Sequence, residues 1–288
     1  MEILRRQIEK QVHSLTGASL GVLDLDQPHG DAGLFGPESM VWKVHADFTA
    51  MMVGGISALL LQMLHPLALA GVWDHSTFRQ DMLGRLRRTS LFVAGTSYGG
   101  RHDAEQLIDK VRRIHLQVVG QAPDGRAYAA TDPGLLTWVH VSEVSQFLAG
   151  YLRYVDPELP VAEQDRYYRE VALIAERLGA QGVPKSSQAT GDYLERMRPQ
   201  LLCDERTREV VRLLYTAPMP NILAKPFGSL MMQAGVDLLP DWASELLGEH
   251  QAAWRRSVIR AGVRRTAKVL RWAVINSAAQ RAARRVAP

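Results

Sequence analysis

The chain has 288 residues, of which 47% are hydrophobic and 22% charged, with a formal net charge of +4 and a single cysteine. These values exclude a disordered chain, a collagen-like repeat and a disulfide framework, and they leave room for one large domain or two small ones. Cys203 has no intrachain partner, which suits a reducing compartment. Arg5, Arg6, Glu9 and Lys10 interrupt the start, so it lacks the apolar core of a secretory signal and the cytoplasm is the expected location.

Phe48 to Trp73 contains no Asp, Glu, Lys or Arg, and a run of about 20 apolar residues is long enough to cross a bilayer. Gly54, Gly55, Ser57, Gln62, His65 and Pro66 lie inside it, however. The composition predicts a buried core helix over Met51 to Leu64, closed near Pro66. Gly95 to Gly100 reads as a glycine-rich bend between helices. Asp103 with Gln106 predicts a capped helix whose apolar face is Leu107, Ile108, Val111, Ile114 and Val118, ending before Gly120. A polar turn follows at Pro123 to Arg126. Asp132 and Pro133 then open a helix that carries Leu136, Val139, Val144, Phe147 and Leu148 to about Tyr151.

Val161 to Leu178 reads as a long helix closed by Gly179. Gly182 to Gly191 reads as a loop. Short helices are expected at Asp192 to Arg198 and Asp204 to Leu214, and a proline-studded connection at Pro218 to Pro226. The last 38 residues hold ten basic side chains and no acidic one, so the rest of the chain is net acidic. Trp254, Val258, Ile259, Val263, Leu270 and Trp272 make this tail a basic amphipathic helix. It either packs its apolar stripe on the acidic body or touches an anionic lipid surface. The expected fold is all-α and single-domain: an extension over 1–39, a helical domain over 40–250 and the basic helix over 251–288.

Local spacing removes several chemistries. The chain has no phosphate loop and no dinucleotide fingerprint. One cysteine rules out most zinc clusters. The residues three before His65, His115 and His140 are Gln62, Arg112 and Thr137, so the Glu-x-x-His pair of carboxylate-bridged di-iron bundles is missing. Three histidines remain on apolar faces. His115 follows Ile108 and Val111 at helical spacing, His140 stands between Leu136 and Val144, and His65 precedes Pro66. Each is a satisfied core residue or a ligand, and a neutral imidazole among apolar residues is what the proximal side of haem iron requires. Arg85 and Arg88 share a helix face, either a solvated basic face or a cation pair for propionates.

The blocks Leu61-Gln62-Met63-Leu64-His65-Pro66, Asp74-His75-Ser76 and Gly84-Arg85-Leu86-Arg87-Arg88-Thr89 resemble the opening of the rubber oxygenase catalytic domain family. The ER-bound oxygenase of mycophenolic acid biosynthesis belongs to the same family. The resemblance continues through Val111-Arg112-Arg113-Ile114-His115, Tyr128 to Pro133, Trp138-Val139-His140 and Tyr167-Tyr168-Arg169-Glu170. It implies a globin-like helical core with haem b, His115 as the iron ligand, and Arg85, Arg88 and Thr89 as the distal block. Arg88 stands where rubber oxygenases have a lysine, and a permanently protonated guanidinium cannot be a neutral amine ligand. Rubber oxygenases use a glutamate as base upstream of that arginine, and Leu59 to Leu83 contains no glutamate.

The sequence is thus expected to encode a haem-dependent oxygenase for a hydrophobic, unsaturated small molecule, with O2 bound opposite His115. Arg85 and Thr89 would donate hydrogen bonds to it, His65 or Asp74 would serve as base, and Arg88 and His140 would line the cofactor. The alternative is a non-catalytic haem or lipid-binding protein docked on membranes through residues 251–288. No specific nucleic-acid contact is expected.

Overall fold

A computed structural model describes residues 1–16, 23–217 and 225–287. Among the described residues the chain is almost entirely helical, with one two-stranded sheet, so the all-α expectation holds at the level of class. The first helices are α1 (Glu2–Thr16), α2 (Met40–His45), α3 (Phe48–Gln62) and α4 (Pro66–His75). Next come α5 (Met82–Tyr98), α6 (Arg101–His115), the strands β1 (Val119–Gln121) and β2 (Ala127–Ala129), and then α7 (Pro133–Tyr154) and α8 (Val161–Leu178). The chain closes with α9 (Ser187–Met197), α10 (Glu205–Tyr215), α11 (Lys225–Leu238), α12 (Asp241–Leu247), α13 (Ala253–Ala273) and α14 (Ala278–Val286).

The uncharged run forms α3, which starts three residues earlier than its apolar content suggests, because Asp47 accepts the Ala50 N–H at 2.8 Å and caps it. No single helix among the described residues is long and apolar enough to cross a membrane. The α3 and α4 pair passes on length but is bent by 104°. Instead, α3 lies antiparallel against α7 in the core. A Cβ on Gly54 would stand 2.7 Å from the Gln146 carbonyl oxygen, and one on Gly150 would stand 2.6 Å from that of Ala50, so the backbones approach as only glycine permits. Gly235 brings α11 equally close on the other side, with its Cβ position 2.4 Å from Ile56. The main core cluster gathers Leu60, Leu61, Leu64, Leu69, Phe78 and Trp138 around this crossing.

Several boundaries differ from expectation, each because a partner distant in sequence supplies the cap. Asp103 is inside the first turn of α6, whereas the N-terminus is held by Asp31, which accepts the Arg101 N–H at 2.7 Å. Gly95 to Tyr98 is the last turn of α5, and the bend is confined to Gly99 and Gly100, with Gly95 admitting Leu107 of α6. The expected loop at Gly182 to Gly191 becomes helical from Ser187, because Ser186 caps α9. Asp204 and Thr207 form a reciprocal capping box at α10. The expected helix from Asp132 runs on to Tyr154, and Pro123 to Arg126 is the turn of the β1–β2 hairpin. Most of the proline-studded connection lies outside the described residues.

The basic tail is two helices rather than one, and both are built into the body. On α13, Ile259, Val263, Ala267 and Leu270 are buried. Fully buried Asp237 receives Arg260 at 2.7 and 3.0 Å and Arg153 at 3.2 Å. Arg271 reaches Asp47 at 2.6 Å, and Arg281 and Arg284 pair with Asp26. The acidic surplus of the body therefore meets the basic surplus of the tail directly.

Candidate functional site

The candidate site draws its residues from α2, α5, α6, α7 and α8. On α5, Arg85, Thr89, Val93 and Ser97 follow one another at four-residue spacing. On α7, His140, Glu143 and Phe147 do the same at three and four residues. The two faces converge on His45 at the end of α2. Its Nδ1 is 2.8 Å from Ser97 Oγ, its Nε2 is 2.9 Å from Tyr167 Oη on α8, and the Phe147 ring stands edge-on at 5.3 Å. Glu170, also on α8, accepts the Met40 and Val41 N–H groups at 2.7 and 3.2 Å, which fixes the start of α2 and hence the position of His45.

His115 ends α6 on the inner face defined by Ala104, Ile108 and Val111. Ile114, expected on that face, is 52% exposed, because one residue of offset carries it past the edge of the stripe. Beside His115 opens a cleft of ≈ 380 Å³ lined by Asp109, Arg112, Arg113, Thr131 and Leu178. His115 Nδ1 and His140 Nε2 are buried with no hydrogen-bond partner. They are two of eight such side-chain atoms among the described residues, and the two that belong to imidazole rings. Burial lowers the pKa of His115 and pushes that of His140 down to about 4, so both rings are neutral near pH 7 with a lone pair available to a metal.

Arg85 has no ion-pair or hydrogen-bond partner among the described residues. Its guanidinium lies 6.0 Å from the centre of the Phe78 ring, and burial together with nearby Arg88 lowers it to about 10. Arg88 turns away, half-exposed, to Asp81 at 3.8 Å and Thr77 at 3.4 Å. Thr89 is exposed. His65 caps α4, its Nδ1 facing the Ala68 N–H at 3.4 Å, and its ring lies 5.9 Å from Trp138; burial holds it at about 4. Asp74 accepts from Tyr128 Oη at 2.6 Å. His65 and Asp74 are thus engaged around α4 and the hairpin, and neither hydrogen-bonds His115, His140 or Arg85.

The spacing search missed Glu143, because it looked for a glutamate before each histidine and this one follows His140 by three. His45, Ser97 and Tyr167 were also missed, since each comes from a different helix. Among the described residues no group of three or more His, Cys, Asp or Glu side chains forms a metal site. A haem, held through one histidine, needs none.

Residues 42–272 match the catalytic domain family described as ER-bound oxygenase mpaB/B′ and rubber oxygenase. The chain belongs to this family of oxygenases, and membership implies an oxidoreductase that uses dioxygen and an organic substrate. The match begins in α2 and ends in α13, so it takes in most of the basic segment. No curated protein and no solved structure matches the chain.

Proposed function

We propose that the protein is a haem b oxygenase acting on a hydrophobic, unsaturated small molecule of isoprenoid or lipid type. The carrying observation is His115, an inward-facing, neutral imidazole with an unpartnered buried nitrogen at the end of a helix. The donor set fits the cofactor. His115 supplies the iron ligand, His140 a second neutral ring for the lining, and Arg85, Arg112 and Arg113 the cations for propionates. In this reading the helical core is globin-like, and the haem, when bound, supplies the iron at which dioxygen is activated.

The remaining work falls to the chain's own groups. Arg85 and Thr89 donate hydrogen bonds to oxygen or to a propionate, Arg85 without having to break an existing pair. Arg88 reaches the cofactor only by leaving Asp81, and a half-exposed pair of that kind holds it by at most about 1 kcal/mol. Asp74 and His65 are the weaker candidates for a base, since each is already engaged in a hydrogen bond. Exposed Ile114, Leu116 and Val119 form an apolar rim near His115 suited to a hydrophobic substrate.

A membrane-facing role for the tail is favoured by one observation. Among the exposed side chains of α13, Trp254, Val258, Arg265, Lys268, Val269 and Trp272 share one face. Arg265 and Lys268 have no ion-pair partner among the described residues. This face would bring the enzyme to an anionic bilayer holding its apolar substrate.

The absorption spectrum of the purified protein, oxidised and reduced, with a pyridine haemochromogen assay tests the reading. Near-stoichiometric b-type haem in the wild type and its loss in His115→Ala are expected. A soluble His115→Ala with full haem content would remove His115 from the role, and a wild type that takes up no haem would overturn the function.

A further inference from the structure

Arg85 and Arg88 stand three residues apart on α5 and are held in opposite ways. Arg88 is tied to a carboxylate, Asp81 at 3.8 Å, and to the hydroxyl of Thr77 at 3.4 Å. Arg85 has no ion pair or hydrogen bond among the described residues, and its guanidinium lies over the Phe78 ring, 6.0 Å from the centre. Phe78 is fully buried, in the same core cluster as Leu60, Leu64 and Trp138, so its ring is a fixed surface. It stands 5.8 Å from the Trp73 ring at an angle of 55°. A second guanidinium, that of exposed Arg79, is 4.3 Å from the Trp73 ring and 5.3 Å from that of Phe78, and donates to the Trp73 carbonyl oxygen at 3.3 Å. Trp73 and Phe78 thus form an aromatic bracket between the last turn of α4 and the start of α5, with half-buried Arg85 against it.

The kind of partner matters for an arginine that has to donate to something else. A carboxylate takes up N–H groups of the planar fork and cancels the charge. An aromatic face attracts the cation through its quadrupole and occupies none of the five N–H donors. Burial and nearby Arg88 lower Arg85 to about 10, which still leaves it charged near pH 7. A long side chain with no partner at all would be spread over many rotamers, and ordering it would fall to the ligand.

We propose that Phe78 is a positioning residue for Arg85: its ring holds the guanidinium by a cation–π contact and keeps the N–H groups free to donate to dioxygen. The inference rests on the oxygenase reading, in which Arg85 is a donor on the side opposite His115. It gives the two neighbouring arginines different parts. The ring-held Arg85 is ready to donate, whereas Arg88 must first leave Asp81.

The contact itself is tested without haem, by urea midpoints of the full-length protein as a double-mutant cycle of Phe78→Leu, Arg85→Met and the pair. Losses that are less than additive are expected, and additive losses overturn the role, because the ring then does no more than fill the core. In the haem-loaded protein, reduced under carbon monoxide, the C–O stretching frequency reports positive charge near the ligand. Arg85→Met should raise it, Phe78→Leu should move it in the same direction, and Phe78→Tyr, which keeps the ring, should leave it near the wild-type value. The affinity of the ferric protein for fluoride should fall roughly two- to five-fold in Phe78→Leu. If Phe78→Leu fails to fold, a ring-fluorinated phenylalanine at the same position keeps the shape, weakens the negative face and replaces it in every arm. A Phe78 variant that matches the wild type where Arg85→Met does not would overturn the role, as would an Arg85→Met that moves neither haem readout. A wild type that takes up no haem overturns the oxygenase reading and the role toward dioxygen, while the urea cycle still decides the contact. Full haem binding with additive losses overturns the role of Phe78 alone.

Discussion

Arg285 donates from Nη1 to the carbonyl oxygen of Tyr98 at 2.7 Å, joining the last helix to the end of α5 across 187 positions of chain. The same guanidinium, with none of its surface exposed, donates to the carbonyls of Asp31 at 2.8 Å and Leu25 at 3.1 Å. Ser97, next to Tyr98, holds His45, so this buried cation steadies the floor of the site from the far end of the chain.

Arg285→Ala is therefore expected to be strongly destabilising, by about 3 kcal/mol, because several buried carbonyls lose their donor at once. Arg285→Lys should recover little of it, since an ammonium cannot match the planar fork. Urea unfolding midpoints of the three proteins check this. An Arg285→Ala variant as stable as the wild type would show that the tail is only loosely attached.

Gly150→Ala is expected to cost about 1 to 3 kcal/mol, since its Cβ would press on a backbone carbonyl that has nowhere to move. Gly191, helical in α9 with nothing near its Cβ position, is the matched control. Gly191→Ala should raise stability by up to about 1 kcal/mol through helix propensity alone. Thermal melts of the pair separate steric need from conformational preference.

The buried histidines predict a particular acid sensitivity. Burial holds His140 and His65 at about 4 and His45 at about 3, all below the ordinary 6.5. The unfolded chain then binds more protons than the folded one, so stability is complete above about pH 6.5 and falls as the pH drops toward 4. For His140 alone, a depression from 6.5 to about 4 corresponds to about 3 kcal/mol. His140→Gln should flatten the loss of stability between those pH values, as read from the urea midpoint. Glu143 acts in the opposite sense. Its raised pKa gives stability that is present below about 4.5 and lost as the pH rises through about 7, so Glu143→Gln should melt higher than the wild type only in alkaline buffer.

For the tail, flotation with phosphatidylserine vesicles should recover the wild type but not a Trp254→Ala, Trp272→Ala double variant. Phosphatidylcholine vesicles should recover neither. Each exposed Lys or Arg near an anionic surface contributes about 1 kcal/mol, and the tryptophans add burial at the interface. Equal flotation of both proteins would exclude α13 as the contact.

Much of the helical order was legible because it is written locally. Asp132 followed by Pro133 opens α7, and Gly179 closes α8 in the left-handed conformation that glycine adopts freely. The position of His115 on an inner stripe could likewise be read from Ile108 and Val111. The start of α6 could not, because its cap, Asp31, lies 70 positions away. Ile114 was misplaced for a related reason: periodicity shows that a helix has an apolar stripe, but not how wide an opening its neighbours leave beside it.

By itself, then, the sequence determined the all-α class, many helix ends, the family, and the place of His115 on the inner stripe of α6, since each follows from residue types at short range. Only the tertiary structure decided that the ten basic residues of the tail are largely spent on Asp237, Asp47, Asp26 and backbone carbonyls, because charge pairing depends on distance in space. It also joined His45 to Ser97 and Tyr167, three side chains from three helices. Such contacts join residues far apart in the chain, and helix packing alone creates them.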